Sequence, residues 1–518
     1  MPKILVGLGG LLSDPACCVV KHGSIASAVE QAKLSRHDRL GAFPEQAFVS
    51  ALEIAQVQPR EIDCIAIARP FAAGTESDAL LDLRSRFPAS EIVVVDHHEA
   101  HAASAYYASG FERASVLSID RAGDFRSAVL FHGEGLRLTK IRELYFPDSL
   151  ADLYGRVTEL LGFEARSDEH KVQWLSAAGD ANYIDVFRRI IDLGGRNWPR
   201  FERGYFDAGG PVQGSFSSRF HDEIGRDPKP ADLARSLQSA VEETIQAMLG
   251  DAERVALAGG LALNALLVRS LEQKFQSVFV QPAAGNAGTA LGAALYAWHN
   301  SLGETQPVPF ETLCLGPSYT PEHIKQVLEN CKLRFRFLNT NEDLIAGAIR
   351  ALTDDKIVAW MQGRMEFGPR ALGNRSILAS PLNPYSTENL NVYIKHRESF
   401  RKFAASVPEK VAAQYFEAGS NARYLATVGQ VRPEYREQFS AALLNDNLIR
   451  VHVVRKEDNP LFHALLTAAG RETGLPVLYN TSFNLFGDPL VCTPRDAVRS
   501  FYSSGIDALF AGNFYLEK

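Results

Sequence analysis

The sequence predicts an α/β protein of two domains, and three observations carry that expectation. Buried-strand runs alternate with helix-period stretches along the amino-terminal half, the rhythm of a sheet with helices on its faces. Twice, in RVALAGGLALNALL (254–267) and QPAAGNAGTALGAAL (281–295), an apolar run passes through a glycine turn into a helical segment. The length, 518 residues with 46% hydrophobic content, gives two or three cores at about 100 to 200 residues each.

Taken in order, Ile4–Gly9 and Ala16–Val20 read as strands around a turn at Ser13, Asp14 and Pro15. Helical periodicity covers Glu45–Val57 and Asp78–Phe87, and the apolar runs Cys64–Ala68 and Ile92–Val95 read as strands between and after them. Behind Asp96 the stretch HHEAHAASAYYASG begins an alanine-rich helix. His97 and His101, four apart, stack on one helix face about one turn apart, the geometry of a two-histidine metal grip, with His98 as an alternative to His97. The run ASVLSID places Asp120 at another strand's end as a third ligand. Two neutral imidazoles and a carboxylate suit iron(II), zinc or manganese better than calcium.

Leu233–Leu249 reads as a long amphipathic helix. Gly259, Gly260 and Asn264 open the helix that follows the first glycine turn, and Gly285 and Gly288 open the second, where helix dipoles favour phosphate; together they suggest an ATP cleft. Prolines 307, 309, 317 and 321 mark an inter-domain crossing, so the expected domains are 1–340 and 341–518. Helices at Pro321–Asn330 and Glu342–Thr353 and a strand at Lys356–Trp360 lead into QGRMEFGPRALGNRSIL (362–378).

That loop sets Arg364, Arg370 and Arg375 among Gly363, Gly368, Pro369 and Gly373. Guanidinium forks match the paired oxygens of phosphate or carboxylate, and glycines let backbone N–H groups approach the same anion. Further cations follow at Lys395, Arg397, Arg401 and Arg450, and Asn480, Ser482 and Asn484 lie behind the strand Val477–Tyr479, where amide and hydroxyl groups can hold a small planar ligand.

A formal charge of -7 gives no basic field for nucleic acid. No apolar run approaches the ~18 residues of a membrane span, and the opening MPKILVGLGG suits a strand and turn better than a signal peptide, so a cytoplasmic protein is expected. The six cysteines show no CxxC spacing and read as structural thiols.

GRMEFGPRALGNRSIL, NVYIKHRESFRKFAASV and LPVLYNTSFNLFGDPLV resemble the carboxy-terminal half of the nodulation, cephalosporin and aminoglycoside antibiotic carbamoyltransferases, and HHEAHAASA and SIDRAGD resemble that family's metal-binding segments. The resemblance implies an actin-like, threonylcarbamoyl-transferase-like first domain and a YrdC-like second domain. It implies that carbamoyl phosphate and ATP, with Mg2+, give carbamoyl adenylate, whose carbamoyl group passes to a hydroxyl, or an amine, of a small-molecule acceptor of natural-product type. Arg370, Lys395, Arg401, Arg450 and Ser482 fall on positions that hold carbamoyl phosphate, ATP and the adenylate. His97, His101 and Asp120 fall on those of a divalent metal, with His101 and Asp120 serving transfer.

Three departures mark a divergent branch. Asn286 stands where the family has a fourth, aspartate ligand, Ser13 where it has a histidine, and His170, Gln173 and Trp174 in DEHKVQWLSAAGD where it has smaller residues. A non-catalytic or regulatory nucleotide-binding relative and a tRNA threonylcarbamoyl-type enzyme are the alternative readings. The acceptor is not legible from the residues, and a homodimer is compatible with them.

Overall fold

A computed structural model describes residues 3–37, 43–69, 76–195, 197–207, 215–485 and 487–518. The first sheet is built from β1 (Ile4–Gly9), β2 (Ala16–Lys21), β3 (Ser24–Glu30), β4 (Cys64–Ala68) and β5 (Glu91–Val95). Its order is β3-β2-β1-β4-β5: the first three strands run antiparallel as a meander, and β4 and β5 join β1 in parallel. Between them come α1 (Gln31–Ser35), α2 (Glu45–Ala55) and α3 (Glu76–Arg86), and β5 hands on to α4 (His97–Ser109).

The second sheet repeats this plan. It takes β6 (Arg113–Gly123), β7 (Arg126–Glu134) and β8 (Arg137–Tyr145) as its meander. After α5 (Leu150–Leu160), α6 (Glu169–Ser176), α7 (Ile184–Ile190), the small hairpin β9 (Ile191–Asp192) and β10 (Arg200–Phe201), α8 (Ser218–Ile224) and α9 (Pro230–Leu249), it adds β11 (Arg254–Ala258) and β12 (Ser277–Val280) in parallel, in the order β12-β11-β6-β7-β8. Two sheets of one topology make the first half a duplicated α/β unit, as expected of an actin-like fold. The helices α10 (Ala265–Lys274) and α11 (Gly288–Tyr296) follow β11 and β12, and α11 packs along α4 and β1, joining the two repeats. Close approach at that crossing requires Gly292: a Cβ there would lie 1.7 Å from the Ala100 carbonyl oxygen.

Beyond α12 (Pro321–Asn330) a ten-stranded sheet runs from β13 (Arg336–Phe337) to β22 (Phe514–Glu517). Of these strands, β14 (Val358–Met361), β15 (Arg375–Ala379), β16 (Ala404–Pro408), β17 (Phe416–Glu417), β18 (Val428–Val431), β19 (Leu448–Val454), β20 (Leu478–Ser482) and β21 (Ala508–Ala511) make its body, with the arginine loop joining β14 to β15. Register decides what faces what: Leu378, Asn480, Ala404 and Arg450 fall on one row across β15, β20, β16 and β19. The expected elements from Ile4 to Thr353 occur within a few residues of their predicted bounds. β3, β7 and β8 are strands beyond those expected.

Candidate functional site

The metal-ligating candidates converge. Asp96 caps α4, accepting from the His98 and Glu99 N–H groups, and so sets the turn on which His97 and His101 stand. His97 Nε2 lies 2.9 Å and His101 Nε2 3.4 Å from Asp120 Oδ2, and the ligand atoms of the three fall within 4.8 Å of one another. His98 is engaged elsewhere, Nδ1 at 2.8 Å from Ser118 Oγ and Nε2 at 3.0 Å from the Arg126 carbonyl, so the four-residue spacing is the one used. Asp120 is not at the end of its strand, as its sequence position suggested. It sits where the β6–β7 register breaks between Ile119 and Gly123, and that bulge turns its carboxylate toward α4. At Gly123 a Cβ would lie 2.0 Å from the His97 ring.

Asn286 completes the group. Its Nδ2 donates to Ser13 Oγ at 2.6 Å, while its Oδ1 is buried with no donor. Both ring nitrogens of the fully buried His101 likewise lack a well-formed hydrogen bond. Burial, with the neighbouring His97, lowers the His101 pKa and keeps the ring neutral. Burial alone would raise Asp120, yet the contacts to His101 and His97 hold it well below the usual carboxylate range. Two imidazoles, one carboxylate and an amide oxygen that lacks a well-formed hydrogen bond fit a divalent transition metal, because buried polar atoms without good partners need a ligand to account for them.

Of the glycines expected to cradle phosphate, Gly259 and Gly288 serve packing, since a Cβ at either would lie 1.9 Å from a backbone oxygen, of Ile119 and Ala283 respectively. Gly260 and Gly285 keep open faces, the nearest atoms to such a Cβ being Asp120 Oδ1 at 3.5 Å and Leu263 Cδ1 at 3.7 Å. Asn264, read as a nucleotide-side residue, is instead the N-cap of α10 and pairs with the Gln238 amide.

The segment 260–263 connects this centre to the arginine loop, for the Leu263 carbonyl accepts from Arg370 at 3.3 Å. The three loop arginines divide. Arg375 is fully buried and donates to the carbonyls of Gln362, Gly363, Asn374 and Pro317. Arg364 binds the carbonyls of Ala26, Leu315 and Gly316 and lines a separate cavity of about 890 Å³ against α2. Both were read as ligand-holding, and both brace backbone. The expected backbone cradle is corrected too. The buried Glu366 Oε1 accepts from the N–H groups of Leu372, Asn374 and Arg375, and Gly368 N–H donates to Glu30, so the loop is held by carboxylates of the protein.

Arg370 faces a cation cluster. Burial pushes its pKa down to about 10. Burial, and then the charges of Arg370, Arg397 and Arg401, lower Arg450 well below the arginine range, which places the four guanidinium groups in one field. Arg450 Nε and one terminal nitrogen are buried with no acceptor, and its guanidinium lies 5.2 Å from the centre of the Trp174 ring. Arg397 is anchored on Asn391 Oδ1 at 2.7 Å and stacks on Phe403, and burial with Arg401 brings its pKa to about 9. Arg401 has Glu398 at 3.7 Å and also feels the Asp168 carboxylate.

Lys395 is 6% exposed and gives its three hydrogens to Ser482 O, Asn484 O and Asn484 Oδ1 at 2.6–2.8 Å. It therefore fixes the 482–484 turn, although burial and the nearby arginines pull its pKa well below the lysine range. Ser482 Oγ donates to the same Asn484 oxygen, and Asn480 Oδ1 stays buried without a donor. Four guanidinium groups with unpartnered donors have the chemistry to hold an anion.

Family models for the carbamoyltransferase N-terminus and the carbamoyltransferase C-terminus match residues 71–295 and 349–518. The chain belongs to the carbamoyltransferase family. As a carbamoyltransferase it is a transferase enzyme, of a family whose members act on small-molecule acceptors. Its relatives include an uncharacterized protein of Synechocystis sp., 32% identical over 99% of this chain and 96% of that one, and nodulation protein NolNO of Sinorhizobium fredii, 32% identical over 98% and 79%. The 3'-hydroxymethylcephem-O-carbamoyltransferase of Amycolatopsis lactamdurans is 31% identical over 47% of this chain and 44% of its own. Among the described residues no helix is long and apolar enough to cross a membrane.

Sequence reasoning missed Glu366 as the organiser of the arginine loop, and Lys33, whose Nζ binds the Glu366 and Gly368 carbonyls from α1. A lone glutamate among three arginines was the available signal for the first; nothing local announces the second.

Proposed function

We propose that this carbamoyltransferase forms carbamoyl adenylate from carbamoyl phosphate and ATP, with Mg2+, and passes the carbamoyl group to a hydroxyl of a small-molecule acceptor. One observation carries the reading: a guanidinium cluster and a His–His–Asp centre, chemically distinct, meet through the single segment 260–263. Arg370, Arg401 and Arg450 neutralise the phosphate of carbamoyl phosphate while water cleaves its P–O bond, releasing inorganic phosphate and leaving carbamate, and they then neutralise the charge that develops as a carbamate oxygen attacks the ATP α-phosphate and pyrophosphate departs. Asn480 Oδ1 accepts from the carbamoyl –NH2, and Lys395 holds the turn beside it. Gly260 and Gly285 leave room for the adenylate near Asp120.

His97, His101 and Asp120, with Asn286 Oδ1 beside them, would hold a divalent metal, iron(II) first and zinc or manganese next. Such a metal supplies Lewis acidity toward the carbonyl or the acceptor hydroxyl. The acceptor oxygen then displaces AMP.

Arg370→Ala and His101→Ala separate the two stages. Arg370→Ala abolishes carbamoyl phosphate-dependent release of pyrophosphate from ATP, whereas His101→Ala keeps that release and blocks transfer. If both variants lose both steps, the division between the sites is wrong.

A further inference from the structure

The helix α6 presents His170, Gln173 and Trp174 at positions i, i+3 and i+4, the spacing of one helix face. That face meets the cation cluster: Trp174 carries the Arg450 guanidinium on its ring, and Gln173, 3% exposed, has an Nε2 with no acceptor. His170 Nδ1 lies 3.0 Å from the Ser167 carbonyl. A carbonyl only accepts, so Nδ1 carries the hydrogen and Nε2 holds a lone pair. That Nε2 is closed off from solvent and meets no donor of the protein. A neutral acceptor among guanidinium donors is chemically odd, unless its proton arrives with the ligand.

We propose that His170 is the proton-uptake residue of the anion site: when a phosphate-type dianion settles among Arg370, Arg401 and Arg450, His170 Nε2 gains a proton from solvent and donates it as a hydrogen bond to that anion. The proposal rests on the reading of the cluster as an anion site, and not on the adenylate chemistry.

The electrostatics supply the coupling. Burial and then the charge of Arg401 bring the His170 pKa down to about 4, with Arg370 acting in the same sense and the Ser167 carbonyl and Asp168 opposing. A dianion offsets most of the positive charge that Arg401 and Arg370 put on the ring, and the imidazolium then has both a countercharge and an acceptor. Lys171 bridges Asp168 at 3.0 Å and Glu398 at 3.1 Å, Glu398 also faces Arg401, and Glu169 takes the Arg166 N–H. Of the helices packed on α6, α5 brings Asp152 with Arg156, and α9 brings Asp232, held by Asp180 N–H and Asn182, and Glu242, which accepts from the Gln238 amide and whose pKa burial raises to about 7.

The test uses sulfate as probe, because its own charge is constant across the neutral range. A group whose pKa is higher in the complex than in the free protein makes binding tighter as pH falls between the two values. If the bound value returns to the ordinary ~6.5, sulfate affinity of the full chain rises about twentyfold from about pH 7 to pH 5. In His170→Gln, which keeps an acceptor of similar reach, the rise disappears. A carbon-13 signal from the His170 ring in wild-type protein, assigned by its loss in the variant, moves its titration midpoint upward when sulfate is added. An unmoved midpoint, a pH slope that survives in His170→Gln, or no sulfate binding overturns the inference. Proton-linked sulfate binding without any cleavage of ATP supports it while the adenylate reading fails.

Discussion

Arg370 and Arg375 stand five residues apart in one loop, and the proposed function gives them opposite work. Replacing each by methionine tests that directly. In Arg375→Met four carbonyls lose a charged donor, while the buried Glu366 keeps its three backbone N–H bonds but loses the favourable field of a nearby cation. Leaving buried carbonyls without their charged donor costs about 1–3 kcal/mol each, so the loss is at least about 3 kcal/mol, a large part of a typical stability of ~5–15 kcal/mol. With a urea slope of ~3 kcal/mol/M or more for the unit that unfolds, the midpoint falls by about 1 M.

Arg370 makes one hydrogen bond, at 3.3 Å, and its charge depresses the pKa of Arg450. Its removal relieves repulsion, so Arg370→Met keeps or slightly raises the urea midpoint. Its loss appears in chemistry: pyrophosphate release drops at least about 10²–10³-fold, the effect of removing one preorganised donor from a developing charge. The assays are urea denaturation followed by fluorescence and pyrophosphate release from ATP with carbamoyl phosphate. Equal midpoint losses in the two variants, or Arg370→Met retaining pyrophosphate release within about tenfold of wild type, would refute the assignment.

Asn286→Asp adds a negative charge to the His97–His101–Asp120 group and raises divalent-metal affinity by about tenfold or more, measured by competition with a chelator; an unchanged affinity removes Asn286 from the site. Trp174→Leu keeps the apolar contact with Ala265, Leu266 and Val428 but removes the ring face under Arg450. The expected result is a rise in KM for carbamoyl phosphate or ATP of about tenfold, ~1–2 kcal/mol, with kcat little changed. His452 is buried and bonded to Ser406 Oγ, and burial lowers its pKa to about 3. The unfolded chain takes that proton near ~6.5, so the fold is favoured above this value and loses on the order of 4 kcal/mol as pH falls from about 6.5 toward 3. His452→Gln flattens that part of the pH–stability curve, and an unchanged slope would mean that the ring is charged in the fold.

The elements were legible where their pattern is self-contained. The run Cys64–Ala68 is five apolar residues between turn signals, and Pro321–Asn330 carries its own N-cap in Thr320. The duplication was not, because the two sheets share a connectivity and not a residue pattern, and connectivity is written in long-range pairing. The histidine pair was legible through the helix period, since spacing alone puts both rings on one face. The arginines were not separable. A guanidinium that braces its own carbonyls and one that waits for an anion have the same letter and the same glycine neighbours, and only the position of Glu366 decides which N–H groups and charges remain for a ligand. Asp120 was placed correctly in the chain but not in its strand, because a bulge leaves no mark in the sequence.

Ser13 and Asn286, 273 residues apart and read as separate departures from the family pattern, are in hydrogen-bond contact at 2.6 Å. An amide has a donor end and an acceptor end, and here the donor end is committed to the Ser13 hydroxyl. The acceptor end must then turn inward, where Oδ1 is buried without a partner. A histidine at 13 would not need an amide opposite, and a carboxylate at 286 would ask Ser13 to donate. The two positions therefore form one unit whose polarity is set jointly, and changing either alone should reorient the other. The resulting donor set carries a single negative charge on Asp120. A divalent ion bound there keeps net positive charge, which weakens its retention and strengthens its pull on a carbonyl or hydroxyl oxygen.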